Sequence, residues 1–98
     1  MSQPEHPSMP SRLDTMIGQV VVVDLASPFV CLGTLLGADA SFLDLADADL
    51  HDLRDSPATR EIYVFESARF GVRQNRARVL IRLDQVIAIA RFADVGDA

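Results

Sequence analysis

The sequence predicts a mainly β fold. The expected form is a small, five-stranded, strongly bent barrel with a short N-terminal helix and a second helix inserted between strands 3 and 4. Three observations predict it. Short apolar segments rich in β-branched residues recur, and the segment "ARVLIRLD" alternates strictly. Gly33 interrupts one of these segments in its middle, where a glycine marks a bend, a bulge or a close backbone approach. The last two apolar segments meet at Asp84-Gln85 with no room for a relaxed hairpin, which demands a sharp corner.

The elements follow in order. Residues 1–10, with Pro4, Pro7 and Pro10, read as a disordered or extended tail. "SRLDTMIG" reads as a short helix with Ser11 as N-cap, Leu13, Met16 and Ile17 on its apolar face, and Gly18 at its end. "QVVVVDL" is a strand, because Val20 to Val23 favour a pleated, half-buried surface. "ASP" is a turn, and "FVCLGTLLG" the bent second strand. "ADAS" turns the chain into "FLDLADADLHDL". There Leu43 and Leu45 point one way and Asp44 the other, until the alternation drifts. That strand ends somewhere between Asp47 and Leu53.

"DSPATREIYVFESARFG" admits two readings. "EIYVF" favours β structure, whereas Ser56 as N-cap, Pro57 at the first helical position and Gly71 as C-cap frame a helix. The agreement of both ends selects the helix, with Ala58, Ile62 and Phe65 at helical spacing and Ile62 and Phe65 as core or interface residues. Then Val79, Ile81 and Leu83 point inward and Arg78, Leu80 and Arg82 outward, before "QVIAIARF" forms the fifth strand. The domain is placed at residues 11–93, with 94–98 as a second tail.

Ninety-eight residues allow one domain, and one this small gains from self-association. No apolar run is long and unbroken enough for a membrane helix, and the N-terminus lacks the basic and apolar regions of a signal peptide. The lone Cys31 forms no intrachain disulfide and reads as a small buried strand residue in a reducing cytoplasm. The net charge of -5 argues against a generic polyanion binder. The charge is nonetheless divided. Residues 37–55 hold six Asp against Arg54 alone, and residues 69–82 hold five Arg and no acid. All nine basic residues are Arg, which makes planar two-point contacts to carboxylate or phosphate. Arg73, Arg76, Arg78 and Arg82 therefore either track phosphates or pair with the acidic segment of the same or a neighbouring chain.

Enzyme activity is not expected. The sequence lacks a Ser-His-Asp or Cys-His arrangement, a phosphate-cradling glycine loop and a CxxC pair. "DADLH" places Asp47, Asp49 and His51 at period two, a spacing that on a regular strand would share a face and offer ligands to a divalent cation. The pattern reads first as a solvated strand face or loop, so no metal or cofactor is assigned.

Two stretches carry a family resemblance. "GTLLGAD" supplies Gly33, Leu35, Gly37 and Asp39 in the form G-x-L-x-G-x-D, and "IRLDQVIAI" supplies Ile81, Arg82, Asp84, Val86 and Ile89 around a tight corner. In this order, after "IGQVVVVDL", they resemble the two signatures of the Sm-like (LSm) domain over about two thirds of the chain. "TREIYVFE", "NR" and "IARFADV" are similar to segments of a bacterial Sm-like group.

The resemblance implies a homo-oligomeric ring, a hexamer or heptamer, closed by the fourth strand of one subunit on the fifth of the next. It also implies single-stranded RNA as ligand. Phe42 would stack on a base, Arg82 would stack or reach phosphate, Asp39 would order the turn and orient Arg82, and Asp84 completes the set. Leu43 stands where the family places a base-reading Asn, and Leu83 replaces the Gly after Arg82. The expected function is thus RNA binding through an altered base pocket. The alternative is a structural or protein-interaction oligomer that binds no nucleic acid.

Overall fold

The computed structural model describes residues 12–55 and 57–95. The expected tail at 1–10, the proposed caps Ser11 and Ser56, and the last three residues lie outside them. Five antiparallel strands form one sheet: β1 (Val20–Leu25), β2 (Phe29–Ala38), β3 (Phe42–Asp52), β4 (Arg76–Arg82) and β5 (Val86–Arg91). Their spatial order is β4-β3-β2-β1-β5, so β4 and β5 are the two open edges of a bent, unclosed sheet. One α-helix, α1 (Arg60–Phe70), lies between β3 and β4 in sequence. Among the described residues no helix is long and apolar enough to cross a membrane.

Three irregularities curl the sheet. Between Thr34↔Ala46 and Leu32↔Asp49, β3 carries one residue more than β2. Between Leu35↔Leu45 and Gly37↔Asp44, Leu36 of β2 is the extra residue, and opposite Asp24/Leu25 it is Ile87 of β5. Each such bulge bends its strand and increases the local twist. The bulge in β3 holds Asp47 at φ 50, a left-handed conformation that Asp tolerates better than most side chains. It also explains the drifting alternation. Before it Leu43 and Leu45 face inward; after it Ala48 does, and Asp49 is turned to the opposite face.

Gly33 sits across from this bulge. A Cβ there would lie 2.9 Å from Ala48 Cβ and 3.2 Å from the Ala46 carbonyl oxygen, so the glycine is required by close approach of the two strands. Gly37 has no such neighbour.

The inner face is the main core: Val21, Val23, Leu25, Cys31, Leu35, Leu43, Leu45, Ala48 and Ile81. Leu13, Met16, Val79, Leu83, Val86 and Ile89 pack around it; of these Val79 and Leu83, with Ile81 in the core, are the inward set read from the sequence. Burial pushes the Cys31 thiol up to about 12, so it stays protonated and unreactive. The leading helix is a single 3-10 segment, Arg12–Met16, stopped by Gly18 at φ 85; Ile17 is exposed rather than apolar-face packing.

The outer face carries a second, smaller apolar cluster. Val22, Val30 and Leu32 meet Val64, with Tyr63, Leu53, Val72, Phe92 and Val95 around them. Burying a valine such as Val64 contributes about 1.5–3 kcal/mol to the docking of α1 on the sheet. The helix boundaries differ from expectation at one end. Thr59, not Ser56, is the N-cap, accepting a hydrogen bond from the Ile62 N–H at 3.2 Å; Pro57 precedes the helix. Gly71 is the C-cap as expected, at φ 94 with its N–H donating to Ser67 O. The buried helix residues are Val64 and Ser67, whereas Ile62 is exposed. Ile62 and Phe65 have the helical spacing read from the sequence, but the face turned to the sheet is that of Val64 and Ser67.

Candidate functional site

The two signature stretches, more than forty residues apart in sequence, converge at one end of the sheet. Asp39 begins the β2–β3 turn. Its Oδ1 accepts the N–H of Ser41 at 2.7 Å and of Phe42 at 2.8 Å. These donors, Ser41 first, hold its carboxyl below the usual carboxylate range. The turn thus fixes the backbone of Phe42, the first residue of β3. Phe42 pairs directly with Arg82, the last residue of β4. The chain then enters the 3-10 corner Leu83–Gln85, where the Leu83 N–H donates to Ser41 O at 2.9 Å. That bond ties corner to turn.

The side chains alternate as the pleat demands. Leu43 faces Ile81 in the core and is fully buried, while Phe42 and Arg82 lie on the opposite side of their strands. Phe42 is 36 % exposed. Arg82 donates from Nη2 to Asp84 Oδ2 at 2.7 Å. The expected role of Asp39 is therefore half met: it orders the turn, but the carboxylate that orients Arg82 is Asp84. All four candidate residues, Asp39, Phe42, Arg82 and Asp84, meet at the same turn and corner. The constellation offers an aromatic face, a cation and two carboxylates. It can stack a planar ring and contact an anion.

The Arg-rich segment divides. Arg78 makes a two-point contact with Asp44, at 3.3 and 2.7 Å, so part of it does pair with the acidic segment of its own chain. Asp52 likewise pairs with Arg54 at 2.8 Å, a contact that pulls the Asp52 carboxyl down to about 2.

The second polar cluster escaped sequence reasoning. The β3 bulge turns Asp49 and His51 to the outer face, beneath α1, and leaves Asp47 exposed. Asp47, Asp49 and His51 therefore do not form the period-two ligand set. Among the described residues no group of three such side chains is placed to hold a metal. Instead the Tyr63 hydroxyl of α1 donates to Asp49 Oδ2, and the Tyr63 ring stacks on His51, centroids 4.1 Å apart and planes within 5°. Burial, then the Asp49 carboxylate that takes its hydrogen bond, push the Tyr63 phenol well above its ordinary value. Asn75 closes the far side. Its side chain exchanges both hydrogen bonds with the Leu50 backbone, at 2.9 and 3.1 Å. Tyr63 and Ser67 at i, i+4 were the one local signal, but nothing in the sequence says which strand they meet.

No protein-family model matches the chain, and no curated protein matches it. Solved structures do. An Sm-like protein, AF-Sm2, from Archaeoglobus fulgidus superposes with a TM-score of 0.56 at 16 % identity, over 93 % of this chain and 96 % of the other. The Pyrococcus abyssii Sm protein in complex with a uridine heptamer superposes with a TM-score of 0.53 at 24 % identity, over 82 % and 96 %. The described residues have the Sm fold, five antiparallel strands in a bent sheet, as the two signature stretches predicted.

Proposed function

We propose that this protein is a non-enzymatic Sm-like ring that binds single-stranded RNA at Asp39, Phe42, Arg82 and Asp84, with little discrimination between bases. The convergence of the β2–β3 turn and the β4–β5 corner, with Phe42 directly opposite Arg82, carries the reading. It is supported by the Sm protein of the same fold that was solved with a uridine heptamer. Stacking on Phe42 suits any base. Leu43, buried in the core, presents no amide that would read a base edge.

Ring formation is supported by the two open edges. β4 and β5 each have a strand on one side only, and Leu80 and Ile87 on them are 58 % and 67 % exposed. Such edges are hazardous in a monomer and are removed when the chain closes a head-to-tail ring.

A second reading, a protein-binding oligomer without nucleic acid, is favoured by one observation. Arg82 and Arg78 already have carboxylate partners, on a chain of net charge -5.

Fluorescence anisotropy with oligo-U and oligo-A at low salt separates the two, since phosphate contacts are strongest there. The proposal expects both oligonucleotides to bind within a few-fold of one another. Arg82→Ala should weaken binding at least about tenfold, the loss of one charge-assisted contact, with the mass by light scattering unchanged. Absence of binding at low salt removes the RNA reading; a monomeric mass removes the ring.

A further inference from the structure

The outer face holds a second site that the RNA reading does not use. Between α1, β3 and the segment leading into β4 lies a cleft of about 590 Å³, within the size range of small-ligand pockets. Asp49, His51, Ser67, Phe70, Arg73 and Asn75 are among its walls. Some of these groups are engaged by the fold: Asp49 Oδ2 accepts from Tyr63, and Asn75 is committed to Leu50. Others are not. Asp49 is buried, and a carboxylate with one oxygen engaged keeps acceptor capacity on the other. His51 Nε2 is buried with no hydrogen-bond partner among the described residues, a state that buried polar atoms rarely keep without a ligand or solvent. Phe70 is 78 % exposed, an unusual position for a phenylalanine, and Arg73 makes no ion pair with a described residue.

We propose that this cleft binds a nucleotide whose base carries an exocyclic amino group, either free or as a residue of RNA. The buried carboxylate of Asp49 accepts hydrogen bonds, so it favours the exocyclic amino groups of guanine and adenine, and in guanine the ring N–H beside it. Uracil is disfavoured, because it presents two carbonyl oxygens beside its single N–H. The Phe70 ring, over which the Arg69 guanidinium lies 5.3 Å from the centroid, offers an aromatic contact at the rim. The Arg73 guanidinium supplies the charge-assisted contact to a phosphate. The site lies on the face of the sheet under α1, away from Phe42 and Arg82, and does not depend on their binding RNA.

The test is an amide NMR titration of the full chain with GMP, AMP and UMP, each to about 1 mM, which detects affinities as weak as millimolar. GMP or AMP should shift resonances of Asp49, His51, Ser67 and Asn75, leave Ser41 and Phe42 in place, and bind at least about tenfold more tightly than UMP. Arg73→Gln, an exposed change that the fold tolerates, should weaken the nucleotide about tenfold while leaving the phosphate-free nucleoside unaffected. A G-rich oligonucleotide that moves the cleft resonances where GMP does not assigns the ligand to RNA. The proposal is overturned if neither the nucleotides nor the oligonucleotide move the cleft resonances. Equal binding of UMP, or equal loss of nucleotide and nucleoside on Arg73→Gln, also overturns it.

Discussion

Gly33→Ala is a direct test of how β2 and β3 bend past one another. The added methyl would sit 2.9 Å from Ala48 Cβ, whereas carbon atoms in good contact are about 3.5–4.0 Å apart. The strands must therefore part by roughly 0.6–1.1 Å, or the bulge at Asp47 must shift. The far end of a flexible side chain could move aside at little cost. Here the neighbours are a Cβ, a Cα and a carbonyl oxygen, all fixed to the backbone. Overpacking of this kind costs about 1–3 kcal/mol. Replacing a strand glycine recovers about 0.5–1 kcal/mol through the unfolded chain.

The net expectation is a loss of about 0–2.5 kcal/mol, with a midpoint of about 1.25 kcal/mol that lowers Tm by roughly 5–10 °C in a domain of this size. Urea unfolding of wild type, Gly33→Ala, Ala48→Gly and the double variant should be run at one protein concentration, because assembly would otherwise shift the midpoint. Ala48→Gly alone empties a buried methyl and destabilises. The double variant should be more stable than the sum of the two singles predicts, by about 1 kcal/mol. A Gly33→Ala protein more stable than wild type, or a strictly additive cycle, would refute the steric argument.

Two further outcomes follow from the polar contacts. Tyr63→Phe removes the donor to the buried Asp49 carboxylate and should cost about 1–3 kcal/mol; amide exchange should rise over residues 60–70 first, and unchanged exchange there would mean that the contact does not hold α1. Asp52 should titrate near 2 in the folded chain against about 3.9 unfolded. Because the folded value is the lower one, its stabilising contribution is complete above about pH 4 and is lost as pH falls through about 2. Carboxyl NMR should show that midpoint, and Arg54→Ala should return it towards 4, whereas a wild-type midpoint near 4 would discard the pairing.

The expectation of a bent five-stranded sheet rested on features that act locally, and the structure bears it out. Gly33 marked the close approach, Gly71 ended the helix, and the missing linker at Asp84-Gln85 forced the corner. The order of the two signature stretches then anticipated the Sm fold, and the resemblance also implied that Asp39 orders the turn, which it does by accepting the N–H groups two and three residues on. Readings that needed a count of residues across strands went astray. The helix begins at Arg60 with Thr59 as its cap and buries Val64 and Ser67 rather than Ile62, and the carboxylate on Arg82 was Asp84 rather than Asp39.

What the sequence determined by itself is therefore the set of strands, where they bend, and which stretches form the turn and the corner. Those are fixed by steric and hydrogen-bonding preferences within a few residues. What only the tertiary structure decided is parity. One extra residue at Asp47 inverts every side chain after it, since a strand's side chains alternate with a period of two. That inversion sends Asp49 and His51 beneath α1 to meet Tyr63, and it converts an apparent row of metal ligands into the wall of a cleft.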